Sequence, residues 1–123
     1  AEFLKNHPEV EKVYHGSLVQ KKDLSPKWLS GFGSVVSFTL RSGDLESLRR
    51  FYDHLPTPLL KAPTLGSNQT LVCPYALLAH YHESSSFFEY HGISRHLTRL
   101  AVGCEQDLDP IIGALEEGLN QTF

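Results

Sequence analysis

The 123-residue sequence has no methionine, not even at position 1, and it has two cysteines and one tryptophan. Cys73 and Cys104 are too few for a disulfide framework and show no C-x-x-C spacing, so both are expected to be reduced thiols in a cytoplasmic protein. Long apolar runs are also missing: none approaches the roughly 18 residues of a membrane span. The opening Ala1-Glu2-Phe3-Leu4 lacks the charged-then-apolar order of a signal peptide. Charge comes in no blocks. The 11 basic and 14 acidic residues are interspersed to a formal net charge of -3, which leaves no basic stripe for nucleic acid or an anionic membrane. His80, His82 and His91, even with Cys73, lack the matched second pair of a structural zinc site. No segment repeats another, and none is of low complexity.

What remains is a chain of 41% hydrophobic composition, enough for one domain with a core and too short for two ordinary ones. It opens on Glu2 to His7, which reads as the last turn or two of a helix stopped by Pro8. With the missing methionine, that opening reads as a piece of a longer polypeptide, so residues 1–123 are expected to be one domain of it.

Hydrophobic periodicity divides the piece into short elements. Strands are expected at about 10–14, 34–41, 58–63, 71–75 and 96–102. Ser42-Gly43-Asp44 supplies a cap for an amphipathic helix whose stripe is Leu45, Leu48, Phe51, Tyr52 and Leu55, stopped by Pro56; Arg49 and Arg50 fall on its solvated side. Ser84 to Tyr90 reads as a short capped helix ending at Gly92, and Asp109 before Pro110 reads as the cap of a terminal helix with the stripe Leu108, Ile111, Ile112, Leu115 and Leu119. A helical turn is expected at Pro26 to Leu29, with Trp28 as a local packing anchor. Gly31 and Gly33 read as turn residues ahead of a strand, since no lysine or helix start follows to make a phosphate cradle. The sum is an α+β fold: a small, mainly antiparallel sheet with helices on one face.

One residue stands out. In the strand around His96 to Gly103, alternation puts Thr98, Leu100 and Val102 on one face and Leu97, Arg99 and Ala101 on the other. A strand arginine among small and apolar neighbours is either a planar fork for a carboxylate or phosphate, or a plain surface charge at a sheet edge. The stretch Thr64 to Leu71 is dense in turn formers, and its residues alone fit a surface loop equally well.

Gly92-Ile93-Ser94, Leu97, Arg99-Leu100, Val102-Gly103, Glu105, Asp109 and Ile111 form a pattern that resembles the C-terminal end of the Cys/Met-metabolism family of pyridoxal-phosphate enzymes. That family includes cystathionine gamma-synthase, the cystathionine lyases, methionine gamma-lyase and the homoserine sulfhydrylases. His7-Pro8, Val10 and Val13 fit its H-P-x-V-x-x-V, although Tyr14-His15-Gly16 replaces its Tyr-Pro-Gly turn. Gly31-Phe32-Gly33 leading to Ser37-Phe38 fits its glycine-rich entry to a strand. The family's Ser-Leu-Gly-Gly and following Glu-Ser-Leu fall on Thr64-Leu65-Gly66-Ser67 and Gln69-Thr70-Leu71, and the proline after them falls at Tyr75.

The resemblance implies the small C-terminal domain of a fold-type I enzyme acting on sulfur amino acids or activated homoserine. It implies that Arg99 grips the substrate alpha-carboxylate, that Thr64, Leu65 and Gly66 line the substrate beside it, and that Gln69 influences which substrates are accepted. Thr64 keeps the hydroxyl of the usual serine, whereas Gln69 exchanges a charge for an amide. The cofactor, pyridoxal phosphate, is expected in a large N-terminal domain outside this chain, within a parent that is typically a homotetramer. None of the lysines here sits in a context resembling the family's cofactor lysine, so the chain alone is expected to be inactive, with no catalytic, cofactor or metal residue of its own. The other reading is a free-standing, non-catalytic α+β interaction or dimerisation module in which Arg99 is an edge charge.

Overall fold

The computed structural model describes residues 1–19 and 29–123; the turn expected at Pro26 to Leu29 and the packing of Trp28 lie largely outside them. Five strands form one sheet in the order β1-β2-β5-β4-β3: β1 Val10–Tyr14, β2 Val35–Leu40, β3 Leu60–Lys61, β4 Leu71–Cys73 and β5 Thr98–Ala101. Three pairings are antiparallel, and only β3 with β4 is parallel. The expected α+β architecture is the observed one.

Every expected strand is present, and several are shorter than the apolar pattern suggests. β4 stops at Cys73 because Pro74 has no N–H to continue the ladder, and the chain turns into helix α3, Tyr75–Ala79. The remaining helices are α1 Glu2–Asn6, α2 Leu45–His54, α4 Ser85–His91 and α5 Asp109–Thr122. α1 ends as expected before Pro8, with His7 already extended.

Helices α2 and α5 cover one face of the sheet. Leu48, Phe51 and Leu55 of the α2 stripe and Ile111, Leu115 and Leu119 of α5 share a buried cluster with Val36, Phe38, Val72 and Leu100. Phe38 and Phe51 meet edge to face, with ring centroids 5.8 Å apart. The two helices come close at Gly118, where a Cβ would press on Leu55 at 2.9 Å. Two stripe positions depart from expectation. Leu45 and Leu108 are 54% and 47% exposed: each lies at the start of its helix, and Leu108 borders an open apolar hollow with Val36, Leu100 and Ile111.

Capping follows the sequence at α2, where Asp44 Oδ1 accepts the Ser47 N–H at 2.7 Å. It does not at α5. Asp109 is already in the helix, since Leu108 has helical dihedrals, and Asp107 Oδ1 accepts the Asp109 N–H at 3.0 Å instead. At α4, Gly92 takes the expected left-handed C-cap conformation, φ 62°, while the Ser84 hydroxyl bonds Ser86 and caps no backbone N–H.

Candidate substrate-binding site

Strand pairing aligns Tyr14, Ser37, Arg99 and Cys73 in one row across the sheet face turned away from α2 and α5. The alternation read from the sequence holds here: Thr98 and Leu100 are buried on the helical side, and Arg99 points to the other, half-buried. Its guanidinium is held from two directions. Nη2 donates to the carbonyl oxygens of Pro63 at 2.6 Å and Thr64 at 3.0 Å, and Cζ lies 4.8 Å from the centroid of the Tyr75 ring. Nε is buried with no partner among the described residues, and Nη1 donates to none of them. The neighbouring Cys73 feels the guanidinium: burial pushes its thiol up, and Arg99 only partly offsets the push.

Arg99 and Thr64 therefore come together, through the Thr64 carbonyl. Among the described residues the Thr64 hydroxyl reaches only the Leu65 carbonyl, at 3.4 Å. Leu65 is 50% exposed beside it, and Gly66 has φ 78°, a left-handed turn that a side chain would strain. Gln69 is exposed at the far end of the loop, its N–H donating to Ser67 Oγ at 3.1 Å.

The far end of the loop is fastened to the exit of β5 by residues to which sequence reasoning assigned no role. Glu105 Oε1 accepts the Thr70 N–H, Thr70 Oγ1 accepts the Gly103 N–H at 3.0 Å, and the Asn68 carbonyl accepts the Cys104 N–H at 2.8 Å. Burial alone would push the Glu105 carboxyl up, but hydrogen bonds from Thr70, from its own N–H and from Gly103 more than cancel this and hold it below its ordinary value. The signal was present as Val102-Gly103-x-Glu105. Tyr75 was likewise missed as a neighbour of Arg99.

A hollow of about 300 Å³ opens beside the Arg99 row, lined by Tyr14, Ser37, Gly92, Ile93, Ser94 and Leu97. His80 and His91 both pack against the Phe87 ring, with centroids 5.0 Å and 4.5 Å away.

The family model for Cys/Met metabolism PLP-dependent enzymes matches residues 1–120. The chain belongs to this family. It is 34% identical over 122 residues to an L-methionine gamma-lyase of Fusobacterium nucleatum, a match covering 98% of this chain and 30% of that protein. It is 36% identical over 97 residues to a cystathionine gamma-synthase of Saccharomyces cerevisiae, covering 79% of this chain and 14% of the relative. Among solved structures, cystathionine gamma-lyase from Lactobacillus plantarum superposes with a TM-score of 0.83 at 31% identity, over 98% of this chain and 31% of that one. Cystathionine gamma-synthase from Xanthomonas oryzae pv. oryzae gives 0.84 at 30% identity, over 99% and 31%. The chain thus spans less than a third of the length of these relatives.

Membership implies pyridoxal phosphate, which needs a lysine amine, an acidic partner for the ring nitrogen and anchors for the phosphate. The described lysines do not supply the first. Lys5, Lys12 and Lys61 are all exposed, Lys12 over the Tyr14 ring and Lys61 donating to the Asp53 carbonyl. Gly31 and Gly33 lead into β2 and not into a helix N-terminus, so they offer no phosphate cradle. Neither the described lysines nor these glycines offer the cofactor a place. Among the described residues no helix is long and apolar enough to cross a membrane.

Proposed function

We propose that residues 1–123 are the small C-terminal, substrate-carboxylate-binding domain of a pyridoxal-phosphate enzyme of the cystathionine gamma-synthase or lyase type. Its substrates are sulfur amino acids or activated homoserine. A large N-terminal domain carries the cofactor and builds most of a homotetramer, and the chain alone is inactive. In this reading Arg99 donates to the alpha-carboxylate, and the Thr64 to Ser67 loop closes the pocket beside it. Gln69, at the outer end, bears on side-chain choice.

One observation carries the reading: a half-buried guanidinium, oriented by two carbonyls and a ring, keeps donors that no described residue uses. The same sheet face also leaves Tyr14 and Val35 42% and 41% exposed, as a face does that meets another domain. Fixing the carboxylate orients the bond to be broken, and misplacement of a reacting group can cost about 10²-fold in rate.

The test is Arg99→Ala in the full-length polypeptide. KM for the amino-acid substrate should rise sharply and kcat/KM should fall by about 10²-fold or more. Unchanged kinetics would remove Arg99 from the site.

A further inference from the structure

The Tyr75 ring lies over the guanidinium of Arg99 for a reason that starts in the backbone. Cys73, the last residue of β4, pairs directly with Arg99 on β5, and Pro74 then ends the ladder. Tyr75, two residues beyond Cys73, returns over the same face with Arg99 Cζ 4.8 Å from its centroid. The ring is not a core filler: Tyr75 is 40% exposed, and its other aromatic neighbour among the described residues is His80, edge-on at 6.2 Å. The carbonyls of Pro63 and Thr64 fix one end of the guanidinium through Nη2. The ring fixes it along a different direction, across its face. Together they leave Nη1 as the end that an incoming group can meet.

We propose that Tyr75 is a positioning residue for Arg99, its π face selecting the rotamer in which the guanidinium presents Nη1 to a substrate carboxylate. This rests on the reading of Arg99 as the carboxylate-binding residue. Cations are drawn to the faces of aromatic rings, most strongly to tryptophan, and a side chain already held in its bound rotamer loses less freedom on binding. The ring acts through Arg99, so removing it should weaken recognition of the carboxylate and leave binding of the rest of the ligand unchanged.

The experiment uses the full-length holoenzyme and two competing ligands, L-serine and ethanolamine, which differ by the carboxylate. Tyr75→Leu should weaken inhibition by L-serine about fivefold and leave ethanolamine unchanged. Tyr75→Phe should match the wild type, and Tyr75→Trp should bind L-serine at least as tightly. Should the leucine variant fail to fold, the phenylalanine and tryptophan variants decide: a fivefold loss in either shows that the ring face is not the operative group. An equal loss for ethanolamine, or no loss with leucine, also overturns the proposal. Arg99→Ala separates the two ideas. If it weakens L-serine while Tyr75→Leu does not, only the role of Tyr75 falls; if it leaves L-serine unaffected, the carboxylate site itself is withdrawn.

Discussion

Gly103 packs so closely on Asn68 that a Cβ on the glycine would collide with the Asn68 carbonyl oxygen and lie 2.6 Å from the carbonyl carbon of Gln69. Both obstacles are backbone, so neither can swing aside as a side-chain tip would. The exit of β5 and the loop that faces Arg99 are joined at this point, and the loop's far end cannot move without moving the strand.

Gly103→Ala should therefore cost about 1–3 kcal/mol of stability, the range for overpacking a tight contact, read as a lower urea midpoint with an unchanged slope. Carboxylate binding should weaken as well, because the displaced loop carries the Pro63 and Thr64 carbonyls that hold Arg99. An unaltered midpoint would mean that the contact is slack.

Glu105 makes the same junction sensitive to acid. Its carboxyl is held below the ordinary value, so the unfolded chain takes up the proton first as pH falls. The contribution is present in full above the unfolded value, about 4.3, and is lost as pH drops from there through the lower folded value. Glu105→Gln should be less stable than the wild type at pH 7, with the gap closing in the acid range below about pH 4.3. Urea midpoints of both proteins between neutral and acid pH check this, and a constant gap would contradict it.

The helical layer carries the main core, and Phe51 is its centre. Phe51→Ala should cost about 3–5 kcal/mol, whereas Leu45→Ala, from the same sequence stripe but 54% exposed, should change stability by no more than about 0.5 kcal/mol. Equal losses at the two positions would refute the placement of Leu45 outside the layer.

These residues also show what the sequence made legible. Strand and helix identities follow from periodicity and from stop signals such as Pro8, Pro56 and Gly92, which act locally. Leu45 and Asp109 misled because a stripe or a cap motif fixes a helix's neighbourhood but not its first residue, which depends on where the sheet's edge lies and on the dihedrals of Leu108. At the site, Arg99 was conspicuous as the one charge in an apolar strand. Thr64 is beside it, but its carbonyl makes the contact, and a backbone atom leaves no mark in side-chain identity. Glu105 and Tyr75 act across gaps of 35 and 24 residues from Thr70 and Arg99, respectively, which only the pairing of β4 with β5 closes.

Arg99→Lys tests the geometry of the cradle as distinct from its charge. A lysine ammonium keeps the charge but is a compact point donor on a flexible stem, unable to bond two carbonyls and present a further donor along fixed directions. It should restore little of the carboxylate affinity lost in Arg99→Ala, measured as the inhibition constant of L-serine. Full recovery would show that charge alone suffices.

The central claim, that this chain supplies the carboxylate-binding domain of a larger pyridoxal-phosphate enzyme, is tested most directly by the intact mass and visible absorption spectrum of the native polypeptide. The account predicts a mass several times the 13.8 kDa of these residues, with the yellow absorption of a lysine-bound cofactor. A colourless species of 13.8 kDa would contradict it and leave Arg99 without the role proposed for it.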